Sequence, residues 1–314
     1  MASQDPVIVM PVFEDRASAR LLLRDIAATA GMGTPFVVVV EDGSLRDPMV
    51  AADISEAGLQ GEVLHLSRNM GHQRAIATGL AHVAQAHPGA PVVVMDADGE
   101  DEAAAIPVLL AELAGSGADA VVAERRRRSE PLMFRTFYVL YRFFFMVVTG
   151  RAIRFGNFAA VSAAGVQRLV LMPELWLHLA SSLIVSRMRI ASVPTDRARR
   201  YAGTSRMNFV SLSLHGMRSM MVFAEDVVVR VGVMCAVLAS TSGLLLTASA
   251  ILKILGIATP GWYSTASGIL IVIMLQAGIL AFLMLMVTGA TRSGPPVVRA
   301  PLELLIARVE RTHR

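Results

Sequence analysis

Two stretches near the C-terminus, Val231–Leu252 and Ser267–Gly289, run without a single charged side chain. Each reaches the ~20 residues that a helix needs to cross the hydrocarbon core of a bilayer. They predict transmembrane helices over 231–252 and 267–289, paired as a hairpin within 230–290. Composition agrees, since apolar residues make up 54% of the chain, above the ~45–50% usual for soluble domains. Arginine flanks the pair on its outer sides, at Arg230 and at Arg292, Arg299, Arg308, Arg311 and Arg314, whereas the connecting segment carries only Lys253. By the positive-inside tendency, the N-terminal domain and both termini are expected in the cytoplasm. The opening residues MASQDPVIVMPVF lack a cationic segment followed by a long apolar core, so no secretory signal is expected.

Upstream, short apolar runs alternate with amphipathic ones. VIVMPVF, FVVVV, EVLHL, VVVMDAD and AVVAE read as strands, and SARLLLRDIAATA, QRAIATGLAHVAQA and AAIPVLLAELA as helices. Continuous apolar strands between amphipathic helices predict an α/β domain around a mostly parallel sheet covered on both faces, here over residues 1–212. Each strand is followed by chemistry: Glu14 and Asp15, Glu41 and Asp42, Ser67 to Asn69, Asp96 and Asp98, Glu124 and Arg125. Ligands of open parallel sheets bind outside the carboxyl ends of the strands, so these groups should share one rim. Acids and arginines together suit a cation and a phosphorylated ligand.

Several classes are excluded. No G-x-G-x-x-G follows the first strand, and no G-x-S-x-G, H-E-x-x-H or P-loop motif occurs. Lys253 is the sole lysine and Cys235 the sole cysteine, so the N-terminal domain has no Schiff-base lysine, disulfide framework or Cys-rich zinc site. The net charge of +4 reflects arginine clusters at 125–128 and 187–206 and beside the apolar runs, which next to a bilayer meet lipid phosphates rather than nucleic acid.

EPLMFRTFYVLYRFFFMVVTG holds seven of the 18 aromatic residues and two arginines. It reads as a helix over 131–149 lying at the membrane interface, aromatics at head-group depth. Residues 213–229 read as a juxtamembrane amphipathic helix, and 291–314 as a cytoplasmic tail in which PLELLIARVERT forms a further interfacial helix.

Asp96 and Asp98 stand two apart at a strand end, where extended backbone puts both carboxylates on one face. With Glu100 as a third oxygen donor, they suit Mg2+ or Mn2+, hard cations that keep waters and bridge to phosphates. Asp101 and Glu102 would open the next helix, where negative charge favours the helix dipole. Asp42 in VVVVEDGS is a carboxylate able to accept from a base imide or ribose hydroxyls, with a turn residue as the plainer role. Most arginines of AERRRR and RARRYAGTSR read as solvated basic faces; Arg125, directly after a strand, and Arg200, just before the Gly203 turn, are the exceptions. His72 and His178 have no metal-ligand partner at helical spacing and read as structural.

Taken in order, VIVMPVFED, VVVVEDGS, LSRNMGHQRAIATGL, VVVMDADGED and RRYAGTSRMNF resemble glycosyltransferase family 2, and within it the polyprenyl-phosphate sugar transferases. The resemblance covers roughly residues 6–225, and the C-terminal hairpin is similar to the bactoprenol branch. It implies a GT-A fold and an inverting transfer of a sugar, UDP-hexose being the preferred donor class, from a nucleotide diphosphate to a polyprenyl phosphate at the cytoplasmic face of a bacterial inner membrane. It further implies a divalent cation, Mg2+ or Mn2+, and a homo-oligomer, of which a tetramer is one form. The residues carried over are Pro11, Phe13, Glu14, Asp42 and Asp96 for the nucleotide and Asp96, Asp98 and Glu100 for the metal. Arg125, Arg135, Arg200, Ser205 and Arg206 stand where the family binds donor and acceptor phosphates, and Asp96, Asp98, Arg125 and Asn157 where it carries out the transfer.

Asn157, in FGNFAAVS, departs from the Asp that relatives commonly carry in G-D-F. An amide cannot serve as a carboxylate base. A phosphate monoester with a second pKa of about 6 needs none, because it is already largely anionic at neutral pH. The substitution therefore favours a phosphate acceptor, while altered specificity or a non-catalytic membrane subunit remains the alternative. A polysaccharide synthase fits less well, since neither Trp176 nor Trp262 follows an arginine as Q-x-x-R-W requires.

Overall fold

The computed structural model describes residues 5–31, 33–125, 143–153, 155–196, 198–201, 216–257, 259, 261–292 and 302–312. The chain divides into two compact units: Met1–Leu132 with Ile153–Val222 and Val298–Arg314, and Met133–Ala152 with Phe223–Val297.

The first unit alternates strand and helix as β1 (Val7–Val12), α1 (Arg16–Ala28), β2 (Phe36–Glu41), α2 (Ala51–Glu56), β3 (Gln60–Leu66), α3 (His72–Ala86), β4 (Val92–Val94), α4 (Ile106–Ser116) and β5 (Ala120–Arg125). Strands β6 (Phe155–Val161), β7 (Ile190–Thr195) and β8 (Ile306–Arg311) follow, and all eight form one sheet in the order β7-β5-β6-β4-β1-β2-β3-β8. β1 runs parallel to β2 and β4, β2 to β3, and β5 to β7, whereas β6 and β8 run antiparallel to their neighbours.

Successive strand residues point to opposite faces, and both faces are dry. Val7, Val9, Val38, Val40, Val92 and Val94 meet Ile76, Leu80 and Val83 of α3. Ile8, Met10, Val37, Val39 and Val93 meet Leu22, Leu23 and Ile26 of α1 and Ile106 and Leu109 of α4. Burial on both faces explains why these strands read as unbroken valine-rich runs, each such side chain contributing about 1.5–3 kcal/mol.

The C-terminal segment departs from the expected interfacial helix. After one short turn of helix, Leu302–Leu305, residues 306–311 pair with β3, Leu64 opposite Val309 and Glu62 opposite Arg311. An open β3 edge offers a row of unpaired backbone groups, and occupying it outweighs the weak helical periodicity of PLELLIARVERT. Residues 298–314 therefore belong to the first unit rather than forming a separate tail.

The second unit is built from two long helices, Ala224–Ile254 and Trp262–Arg292, packed against each other. They enclose the sequence-predicted segments 231–252 and 267–289. Both are long and apolar enough to cross a membrane, the most apolar 18 residues reaching a mean hydropathy of 1.9 within Ala224–Ile254 and 2.4 within Trp262–Met284. Lys253 lies over the Tyr263 ring at 4.3 Å, bracing the turn between them. In the same unit, the helix at 143–149 buries Phe145 edge-on against Phe223 and exposes Phe143, Phe144, Met146 and Val147.

Candidate active site

The carboxyl ends of β1, β2, β3 and β4 lie side by side, and β6, running the opposite way, brings its first residues to the same rim. Its register pairs Val94 with Ala159, so residue 157 stands beside the loop that leaves β4.

The loops after β1 and β2 are locked together by carboxylates. Glu14 occupies the left-handed region at φ 51° and accepts from Leu45 N–H at 2.7 Å while its own N–H reaches Ser44 Oγ at 2.7 Å. Glu41, 1% exposed, accepts from Ser44 and Met49 amides. Asp42, 2% exposed, accepts from Met70 N–H at 2.7 Å and Gly71 N–H at 2.9 Å. Burial pushes the Asp42 carboxyl above its usual range, against the pull of those two amides and of His72. Gly43 turns the chain at φ 76°, and a Cβ there would stand 2.7 Å from Asn69 N. Asp42 thus clasps two loops together in this structure. Pro11 is similarly buried within β1, opposite Val40, and of the expected nucleotide-facing group on this strand Phe13 is the exposed member, at 44%.

The loop after β4 is different. The strand stops at Val94, so Asp96–Glu100 is a turn rather than extended backbone, and Gly99 takes φ 81° beneath the Tyr201 ring. Asp101, expected to open α4, is instead buried and accepts the Asp96 N–H at 3.2 Å. Asp98 Oδ2 pairs with Arg200 Nη2 at 2.5 Å, and Glu100 Oε1 lies 3.9 Å from Arg200 Nε. Residues 198–201 cross this loop as a strap, with Ala198 N–H donating to the Glu100 carbonyl and Tyr201 N–H to the Asp98 carbonyl. Tyr201 Oη also bonds Asp25, and burial with that carboxylate raises the phenol above its ordinary value.

Asp96 faces His72, with Oδ1 3.2 Å from Nε2. The imidazole is 43% exposed. Enclosure at the rim works against its charged form, yet Asp96, with Asp42 and Asp98, raises it above its usual value. Asn157 Nδ2 lies 3.0 Å from the same Nε2. His72 is therefore part of the site, correcting the structural role expected from sequence; its partners come from β4 and β6, which helical spacing could not reveal. His178 keeps its structural role, buried, with Nδ1 accepting from Ser181 N–H to cap the helix Leu179–Val185.

Arg125 closes β5 with its backbone opposite Thr195. Arg135, Ser205 and Arg206 lie outside the described residues. Among the described residues, no three His, Cys, Asp or Glu side chains gather as a ready-made metal cage. The donor chemistry nonetheless fits a divalent ion of the Mg2+ class, which takes one or two carboxylate oxygens and completes its shell with water and substrate phosphate. Asp96 and Asp98 are the carboxylates that would supply such oxygens, while Glu100 is turned toward Arg200.

A family model, glycosyl transferase family 2, matches residues 7–164, just over half of the chain, and the protein belongs to that family. Its fold is accordingly the mixed α/β GT-A type. Among curated proteins, the chain is similar to undecaprenyl-phosphate 4-deoxy-4-formamido-L-arabinose transferase of Klebsiella pneumoniae subsp. pneumoniae, 28% identical over 214 residues, covering 65% of this chain and 63% of the relative. The enzyme of that name from Salmonella paratyphi A is 27% identical over 215 residues, with the same coverage. The match thus spans somewhat less than two thirds of these relatives' length. Among solved structures, glucosyl-3-phosphoglycerate synthase from Mycobacterium tuberculosis, in complex with Mn2+ and uridine-diphosphate-glucose, superposes with a TM-score of 0.49 at 19% identity over 73% of this chain and 79% of that one.

Proposed function

We propose that this protein is a membrane glycosyltransferase that moves a sugar from a nucleotide diphosphate, UDP-hexose by preference, to a polyprenyl phosphate at the cytoplasmic face of a bacterial inner membrane. The observation that carries the reading is the likeness to undecaprenyl-phosphate sugar transferases across 65% of the chain, extending beyond the strand rim where Asp96 and Asp98 stand. The two apolar helices support the location. They leave from and return to one domain, because β8 follows them and pairs with β3, so a membrane-crossing hairpin keeps both its ends on one side.

In this reading Asp96 and Asp98 would hold Mg2+ or Mn2+. The bound cation would supply charge stabilisation to the departing nucleotide diphosphate. Arg200, already at the rim, is placed to exchange Asp98 for a phosphate oxygen, and Arg125, Arg135, Ser205 and Arg206 complete the anion-binding set. Phe13 borders the nucleotide, with Glu14 and Asp42 shaping its loops. An anionic acceptor attacks the anomeric carbon without a protein base, so positioning and electrostatics carry the catalysis.

The test is to incubate membranes containing the protein with a panel of labelled nucleotide sugars, Mg2+ or Mn2+ and undecaprenyl phosphate, then extract lipid. Labelled lipid that disappears in Asp98→Ala is expected. Absence of product with every donor overturns the enzyme reading in favour of a non-catalytic subunit, and undiminished product from the variant overturns the role given to Asp98.

A further inference from the structure

A chain of side-chain amides runs behind the rim, and its direction is fixed at one end. Leu179 N–H, a backbone donor, reaches Gln73 Oε1 at 2.7 Å. The acceptor end of Gln73 being committed there, its Nε2 must face outward, and it donates to Asn157 Oδ1 at 3.0 Å. Asn157 in turn must present Nδ2, which lies 3.0 Å from His72 Nε2. Gln73 is 3% exposed, so reversing the relay would strand a buried Leu179 N–H without its acceptor, an arrangement that folded proteins avoid.

Residue 157 therefore shows the rim a hydrogen-bond donor of fixed orientation. One hydrogen of its amide can reach His72 Nε2 when that nitrogen is unprotonated, and the same nitrogen carries a second. A carboxylate in this position would add negative charge beside Asp96 and offer only acceptor oxygens. The amide removes that repulsion and adds an N–H, both of which favour an incoming anion over an alcohol.

We propose that Gln73 and Asn157 form a specificity element in which Gln73 acts as a positioning residue and the Asn157 N–H binds a phosphate oxygen of the acceptor. The inference rests on the proposed lipid-phosphate acceptor, and goes beyond it by naming the residues that distinguish phosphate from hydroxyl.

Binding separates this idea from catalysis. The full chain in detergent is titrated with farnesyl phosphate and, in parallel, with farnesol, which has the same hydrocarbon without the anion. Asn157→Ala and Gln73→Met are expected to weaken farnesyl phosphate binding about tenfold or more, the loss typical of a hydrogen bond to a charged group, and Asn157→Asp further still. Farnesol affinity stays level throughout. Gln73→Met loses the Leu179 acceptor and some stability, so Asn157→Ala, which keeps that bond, provides the independent arm. Unchanged farnesyl phosphate affinity in Asn157→Ala, or an equal loss for farnesol, overturns the proposal. A wild-type protein that ignores farnesyl phosphate overturns it as well. Phosphate-selective binding lost in the variants, with no sugar transfer from any donor, would keep this element and sink the transferase reading instead. In an active enzyme the variants raise KM for undecaprenyl phosphate and leave KM for the nucleotide sugar alone; the reverse pattern assigns Asn157 to the donor and overturns the acceptor role.

Discussion

The loops after β2 and β4 begin from the same pattern, a buried valine strand ending in carboxylates, and finish with opposite properties. After β2, Glu41 and Asp42 are buried and answered by backbone amides. After β4, Asp96 and Asp98 keep 31% and 15% side-chain exposure and face the movable side chains of His72 and Arg200. Backbone partners cannot leave without unfolding a loop, whereas side-chain partners can swing aside for a ligand. What an acid does at a strand end is thus decided by what neutralises it, and the two loops should fail differently when altered.

The largest contrast is expected in activity. Asp98→Ala should lower sugar transfer at least 100-fold, the order of effect for losing a group that organises transition-state charge, while thermal unfolding shifts little; the lipid-extraction assay and a melting curve read both. Asp42→Ala should do the reverse, leaving two partly buried amides without their acceptor at about 1 kcal/mol each, read as a lowered urea midpoint, with residual activity tracking the folded fraction. Gly43→Ala should cost about 1–3 kcal/mol through its positive φ and the approach to Asn69, again in stability first. A rate loss in Asp42→Ala at full folding would break the contrast between clasp and site.

The smallest effect lies at the other edge of the sheet. Glu62 is buried beside His82 Nε2 at 2.5 Å and Arg311 Nε at 3.2 Å. Burial alone would raise its carboxyl, but those partners bring it below its ordinary value of 4.5. Its contribution is therefore present above about pH 4.5 and lost as pH falls through the lower folded value. Glu62→Gln should flatten that acid limb of the stability profile, measured by chemical denaturation from neutral pH downward, by no more than about 1 kcal/mol, since Arg311 is largely exposed.

The parallel core was legible because strands buried on both faces must be apolar throughout, and β1 to β5 fall where the valine runs predict. The remaining strands were not. β6 includes Gly156, Asn157 and two alanines, and β7 alternates in exposure and carries Pro194 as an edge strand can. β8 depends on an open partner edge that local sequence cannot display. In the site, Asp96 and Asp98 were visible as acids after a strand. The amide partners of Asp42 were hidden because they come from the loop after another strand, and Asp101 misled because its partner is a backbone amide five residues earlier. His72 and Gln73 lay in plain view within GHQRA, directly after the third strand, at a helix start that opens onto the rim. Their partners, in the loop after β4, on β6 and at Leu179, emerge only when the sheet is assembled.

The pairing of β8 with β3 also sets an order of events during synthesis. β3 leaves the ribosome early, yet residues 306–311 follow only after both long helices, a delay of tens of seconds at roughly 5–20 residues per second. Through that interval the β3 edge is exposed to any other extended chain. Completion of the sheet is thus coupled to delivery of the hairpin, and a polypeptide halted between the two long helices would carry the rim residues of β1 to β4 on a sheet with one edge unsealed, a form that proteases and chaperones can distinguish from the finished protein.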